Sequence, residues 1–370
     1  MRCLQSDMTQ SSIPLKALGY KLSSLMLAAL TLFASSLYAQ PTMYAHCINV
    51  GQADATLIEF PCGAVLIDAG SQDESYTDSL INYLNKFFLG RPDLNRTIDV
   101  VFITHNHIDH TQALKKVVET FNVVHYFDNG QLEGRGTANP VWIRKYSQSH
   151  NGIPAVKDIS ESEITSLGRK SGLTSADIDP IHCDDCDPVI RVLSGRRDDN
   201  PGWSDKEFDN KNNHSLVIRI DFSEASFLFT GDLEDDAIVS LLEFYDSSTI
   251  LDADVYHVGH HGSNNGTTTE LLEAVTPEIA VISCGPWNFG LNSKYQFTTY
   301  AYGHPRKSTL ADLSVAIAGK RSQPLTVKAG LAARNFVQYT VKKKIYATAW
   351  DGSLRIKCTT NGGFTVARKQ

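Results

Sequence analysis

Residues 104–110 read Thr-His-Asn-His-Ile-Asp-His, and no other stretch of the 370-residue chain restricts its fold as tightly. The run Val100-Val101-Phe102-Ile103 before it is apolar and β-branched, and residues 111–120 after it contain helix formers. The cluster therefore sits where a buried strand ends and a helix begins. On extended backbone His105 and His107, two residues apart, point the same way. Asp109 and His110, entering the helix, turn toward a second, neighbouring point. Imidazole nitrogen and carboxylate oxygen are borderline ligands for zinc, iron or manganese, so this spacing suits two adjacent cations. One histidine in a chain with 12 of them would be an ordinary polar side chain. Four ligand-type side chains in six positions, directly after a buried strand, are a metal-site pattern.

Three further segments follow the same logic of an apolar run ending in ligand-type or turn residues. They are Val65-Leu66-Ile67-Asp68-Ala69-Gly70, Phe227-Leu228-Phe229-Thr230-Gly231-Asp232 and Val258-Gly259-His260-His261-Gly262-Ser263. Together with the first cluster, this set resembles the His-x-His-x-Asp-His signature and companion motifs of the metallo-β-lactamase superfamily. The resemblance implies an α/β fold, the four-layered αββα sandwich. Within that superfamily, Val50-Gly51-Gln52-Ala53-Asp54, Asn212-Asn213-His214-Ser215-Leu216-Val217, the His260 to Ser263 loop and Tyr302-Gly303-His304-Pro305 resemble the hydrolase domain of the competence protein ComEC. That similarity spans about residues 44–360. The chain departs from the pattern at Ala53, where the subgroup has a second glycine, and at Gln112 and Ala113, where two glycines often follow the signature.

The resemblance implies a role for each residue. His105 and His107, with His214 or a water, would hold a first divalent cation, and Asp109, His110 and a histidine of the later loop a second. His260 is preferred over His261 for that place because it stands first after its strand. Asp232 would bridge the two ions, which are expected to be zinc, with manganese or iron as alternatives. A water held between two such charges loses its proton near neutral pH and attacks carbon or phosphorus. Asp109 and His304 are the candidate catalytic side chains, His304 orienting a substrate oxygen or donating a proton. Asp54 and Asp68 are expected to fix imidazole orientation from behind.

Lys16 and Lys21 precede an apolar run over 22–37 that ends in Tyr38-Ala39-Gln40, which reads as a secretory signal peptide over 1–39 and a hydrolase domain over 40–370. The protein is expected to be secreted or periplasmic. No second apolar segment is long enough to span a bilayer, so no transmembrane channel is expected. Six cysteines remain after the leader, an even number that agrees with export. Cys47 with Cys62 is one candidate disulfide, and Cys183 with Cys186 is either a local pair or the source of two bonds elsewhere.

Composition, 42% hydrophobic and 20% charged, is that of a globular chain. The net charge of −7 hides an asymmetry: residues 301–370 hold 13 Lys and Arg against Asp312 and Asp351 alone. That basic part, with Lys342-Lys343-Lys344, either attracts phosphate or keeps a strand edge solvated. Strands are expected at 45–50, 55–60, 64–68, 123–127, 189–193, 215–222, 225–230, 255–258, 279–283, 344–349 and 354–358, the first three forming a sheet edge. Helices are expected at 75–89, 161–170, 233–245 and 310–318. The stretch 130–213 reads as an insertion, either a lid beside the site or a passive structural loop. The expected activity is a phosphodiesterase or nuclease taking an anionic substrate such as single-stranded nucleic acid, with no protein partner indicated. A lactam or lactone hydrolase and a catalytically inactive metal-binding module are the alternatives.

Overall fold

Several strands of this chain are apolar at every position, and such strands are stable only when both faces are covered. The computed structural model describes residues 40–134, 136–166, 171–291 and 298–369, and Pro41–Gln370 form one unit. The leader expected at 1–39 and residues 167–170 of an expected helix lie outside the described residues.

The strands run in chain order as β1 (Thr42–Cys47), β2 (Thr56–Glu59), β3 (Ala64–Ile67), β4 (Thr97–Phe102), β5 (Asn122–Asp128), β6 (Ala155–Asp158), β7 (Val189–Ser194) and β8 (Val217–Phe222). Then come β9 (Ala225–Phe229), β10 (Val255–His257), β11 (Ile279–Ile282), β12 (Lys320–Ala332), β13 (Asn335–Lys343), β14 (Ile345–Ala347), β15 (Ser353–Thr359) and β16 (Phe364–Lys369). One sheet has the order β16-β15-β1-β2-β3-β4-β5-β6, a second β14-β11-β10-β9-β8-β7, and β12 pairs with β13 in a separate hairpin.

The two sheets pack face to face. In β4, Val100 and Phe102 join Phe227 and Phe229 of β9 and Val281 of β11 in a core between the sheets. The alternate residues Val101 and Ile103 face outward, against Leu80 and Leu84 of the helix Glu74–Gly90 and Val117 of the helix Leu114–Thr120. On the far side, Leu228, Tyr256 and Ala280 pack on Ile238, Leu271 and Leu310 from three other helices. Helix, sheet, sheet, helix is the four-layered αββα order. Each fully buried large side chain in these layers contributes about 1.5–3 kcal/mol.

The structure corrects several expectations. β1 to β3 are not a sheet edge, because β15 pairs with β1 and β16 extends the sheet further. The expected strand at 344–349 ends at Ala347, and Thr348–Asp351 is a helical turn. Residues 130–213 supply β6 and β7, the outer strands of the two sheets. The disulfide joins Cys62 to Cys183, so neither Cys47–Cys62 nor Cys183–Cys186 forms. Cys47 is a buried thiol, and burial pushes it up to about 12, which keeps it protonated.

Candidate metal centre

Strand ends gather at one point because parallel strands in a sheet stop at the same level. β3 and β4 run parallel in the first sheet, and β9, β10 and β11 in the second. Asp68 follows β3, Thr104 to His110 follow β4, Asp232 follows β9, His260 and His261 follow β10, and Ser283 follows β11.

Asp68 stands at a left-handed backbone position (φ +57°), a conformation that non-glycine residues keep only when surroundings enforce it. Its Oδ1 accepts from the Thr104 amide at 2.8 Å, and its Oδ2 accepts from the Thr104 hydroxyl at 2.8 Å and pairs with His110 Nδ1 at 2.8 Å. Gly70 is required where it is: a Cβ there would meet the Asp109 carbonyl oxygen at 1.6 Å. The Ala113 amide bonds to the Ala69 carbonyl, which separates the short helix Ile108–Thr111 from Leu114–Thr120 and holds the signature turn against β3.

Asp109, His110, Asp232 and His261 are all buried, and each offers one ligand atom within 4.8 Å of the others. His261 Nε2 lies 3.0 Å from Asp109 Oδ2 and 3.6 Å from Asp232 Oδ2, while its Nδ1 donates to the Ser283 carbonyl at 2.8 Å. His110 Nε2 is 3.3 Å from Asp232 Oδ1 yet has no hydrogen-bond partner, an orphaned buried atom directed at the carboxylates. Beside this group, His105 Nε2 and His107 Nδ1 face each other at 3.0 Å, and His105 Nε2 is 3.9 Å from Asp232 Oδ2.

The electrostatics fit a cation. Burial opposes charge on His110, but Asp232, Asp68 and Asp109 overcome it and hold its pKa well above the ordinary value. The same contest, burial against Asp232 and Asp109, leaves His261 at about 9. Asp232 is held well below the usual carboxylate range despite burial, by His110, His261 and His260. Clustered carboxylates thus demand positive charge here, which protons or divalent ions can meet. Burial, with the neighbouring imidazoles, holds His105 well below its ordinary pKa, which favours the neutral ring that a ligand bond needs.

His260 and His261 do not compete for one place, as the sequence suggested. Both have left-handed backbone (φ 50° and 52°), so their rings reach Asp232 from different sides. His261 takes the position beside Asp109, and His260 Nε2 lies 3.9 Å from Asp232 Oδ2 with Nδ1 toward Glu234 Oε1 at 3.5 Å. His214 is not brought to the centre. Its Nδ1 accepts from the Arg197 amide at 3.1 Å, its Nε2 donates to the Phe208 carbonyl at 2.7 Å, and its ring packs on Phe208. Asp54 stands behind the centre, a carboxylate oxygen within 4.8 Å of ligand atoms of Asp68 and His110; it also reaches His257 Nδ1 at 3.5 Å, and its backbone amide donates to the Asp109 carbonyl.

A cavity of about 430 Å³ opens over these groups, lined by Asp109, Asp232, His261, Asn212, Tyr302 and His304 among others. Gln52, unassigned from sequence, orients His304. Its Oε1 accepts from the Gly285 amide (3.1 Å) and the Thr299 hydroxyl (3.0 Å), which leaves Nε2 to donate to His304 Nδ1 at 3.3 Å. Burial and three nearby cations or imidazoles keep His304 well below its ordinary pKa, so the ring is neutral with its proton on Nε2. Lys342, Lys343 and Lys344 are not among the cavity-lining residues; Lys344 pairs with Glu278 at 3.4 Å.

Comparison with known proteins agrees with this geometry. The family model described as Metallo-beta-lactamase superfamily matches residues 48–285. ComE operon protein 3 of Bacillus subtilis is 25% identical over 270 residues, 71% of this chain and 29% of that protein. Recombination protein 2 of Haemophilus influenzae is 43% identical over 77 residues, 21% of this chain and 9% of that one. The chain thus spans less than a third of the length of either relative. The metallo-β-lactamase fold protein YhfI of Bacillus subtilis overlays with a TM-score of 0.36 at 13% identity, over 66% of this chain and 85% of that one. Because the family match runs from the end of β1 through β11, the very strands whose ends build the centre, the chain belongs to the metallo-β-lactamase superfamily.

Proposed function

We propose that this protein is an exported, two-metal phosphodiesterase or nuclease. The observation that carries the reading is the position of Asp232. Its Oδ1 faces His110 at 3.3 Å, while its Oδ2 faces His261 at 3.6 Å and His105 and His260 at 3.9 Å. A single carboxylate within 3.9 Å of both His110 with His261 and His105 is what two divalent ions sharing one ligand would need. Asp109, His110 and His261 would hold one ion and His105 with His107 the other, Asp232 being shared. When bound, such ions supply Lewis acidity and a water acidic enough to attack at neutral pH.

The chain's own residues do the rest. Asp68 and the Ser283 carbonyl take the Nδ1 sides of His110 and His261, which directs both Nε2 lone pairs to the centre. His304, its Nδ1 occupied by Gln52, keeps Nε2–H as a donor for a substrate or leaving-group oxygen in the cavity it lines. Burial chiefly lowers the basicity of His304 and His107, and Arg306 and Lys211 add to it, so a cationic side chain acts on each of these two cavity-lining imidazoles, which favours an anionic substrate over a lactam or lactone. A second cavity of about 260 Å³ adjoins through His304 and is lined by Trp287, Lys328 and Trp350, a surface suited to a base and its phosphate. A relative named for recombination leans the same way.

Export rests on the leader-like sequence over 1–39 and on the Cys62–Cys183 disulfide, which suits a secreted or periplasmic setting. No helix among the described residues is long and apolar enough to cross a membrane. The test is a substrate panel on metal-loaded protein. Bis-p-nitrophenyl phosphate and single-stranded DNA should be cleaved, nitrocefin and an acyl-lactone left intact, and cleavage lost in Asp232→Ala. Turnover of the lactam or lactone alone would replace this reading, and metal binding without any turnover would favour a binding module.

A further inference from the structure

The place formed by His105 and His107 has no third histidine from the chain between β7 and β8, because His214 is turned away. Asn212, from the same segment, lines the cavity together with His107, Asp232 and His260. It sits on a short 3₁₀ turn, Lys211–His214, that is clamped from three sides. Asn210 Oδ1 caps the Asn212 amide at 3.2 Å. Asn213 Nδ2 donates to the Glu207 carbonyl at 3.0 Å, and Asn213 Oδ1 accepts from the Glu234 amide at 3.1 Å. Ser215 Oγ accepts from the Asp232 amide at 3.1 Å, and the Leu216 amide bonds to the Thr104 carbonyl. The turn is thereby tied to two of the three loops that carry the metal-site residues.

The two ends of the Asn212 amide are distinguished by their neighbours. Nδ2 donates to Glu234 Oε1 at 2.6 Å and stands 3.4 Å from His260 Nε2. Rotating the amide would set its oxygen against the Glu234 carboxylate, acceptor against acceptor, so Glu234 fixes which end is oxygen. Asn212 is 6% exposed, and its Oδ1 is sealed from solvent with no hydrogen-bond partner. A buried amide oxygen without a donor is costly, and in the wall of a site that gathers cations its complement is a cation.

We propose that Asn212 Oδ1 is a ligand of the ion held by His105 and His107, in place of a third imidazole, with Glu234 as the residue that orients it. The assignment rests on the two-metal reading above. A neutral amide oxygen binds a divalent ion more weakly than imidazole or carboxylate does. The two places should therefore differ in affinity, the one at Asp109, His110, Asp232 and His261 filling first.

Metal-free full-length mature protein titrated with zinc in a calorimeter, and with cobalt followed by its visible spectrum, tests this without reference to any substrate. The wild type should take up two equivalents in separable steps. Asn212→Ala should weaken the second step tenfold or more and leave the first unchanged. A second step unchanged in Asn212→Ala overturns the proposal, as does uptake of a single equivalent by the wild type. A diffraction structure of the zinc-loaded wild type decides independently of any variant's folding: Oδ1 within about 2.0–2.4 Å of the ion supports the assignment, and a bond from His260 Nε2 in its stead refutes it. Failure of the wild type to bind any metal would instead remove the hydrolase reading itself.

Discussion

Both ring nitrogens of His214 are spent on backbone groups of Arg197 and Phe208. His214→Ala should therefore leave metal content unchanged while lowering unfolding free energy by about 1–3 kcal/mol, read by elemental analysis beside a denaturant titration. Asp68 is the opposite case. It touches His110 and Thr104, and Asp68→Ala should weaken metal binding roughly 10- to 100-fold, as loss of a carboxylate behind a ligand imidazole generally does. His304→Ala should keep metal content and lower kcat, on the order of 100-fold, because only the proton donor is lost. Histidines and carboxylates at the ends of buried strands were readable from sequence because burial there is too costly without a purpose. The choice between His260 and His261, and the parts taken by Asn212 and Gln52, were not readable. They depend on two consecutive left-handed residues and on which end of an amide meets a carboxylate, neither of which leaves a trace in spacing.

Strands buried on both faces, such as β4, β9 and β11, announce themselves as short apolar runs, and their positions were legible within a few residues. β6 was not, since its four residues Ala155–Asp158 are half-buried or exposed and carry no periodicity. The hairpin of β12 and β13 was hidden for a related reason: most of its residues face solvent and read as polar loop. At this scale the clamp between β1, β2 and the helix Glu74–Gly90 gives a pH prediction. His46 bonds Tyr83 through Nδ1 (2.8 Å) and Glu59 through Nε2 (3.0 Å), and Arg91 pairs with Glu59 at 2.8 Å. Burial works to raise Glu59, but the bonds from His46 and Arg91 prevail and hold it below its ordinary 4.5. A carboxyl lowered by folding stabilises the protein above its unfolded pKa, and that contribution is lost as pH falls through the folded one. The melting temperature of Glu59→Gln should thus lie below wild type at pH 7, with the gap closing below about pH 4.5; an equal gap at both pH values would contradict the clamp.

Across the whole molecule, the Cys62–Cys183 bond ties the turn between β2 and β3 to the segment before β7, across 121 residues of sequence. Replacing both cysteines by serine should cost about 2–5 kcal/mol in denaturant unfolding, and wild type treated with reductant should show the same loss. That bond escaped the sequence reading because six cysteines allow 15 pairings and none is marked by spacing. The basic character of residues 301–370 was plain in the sequence, but its destination was not: Arg321 is buried against Asp351 at 2.6 Å, Lys344 meets Glu278, and Lys328 lies beside the second cavity. The αββα order itself exists to bring ends of strands from both sheets to one level, and the central claim is that they hold divalent ions around Asp232. The most direct measurement is the metal content of the dialysed protein and of Asp232→Ala. Two equivalents of divalent metal per wild-type chain, falling to one or none in the variant, is the predicted result; a wild type that retains no metal, or a variant that keeps both equivalents, would contradict it.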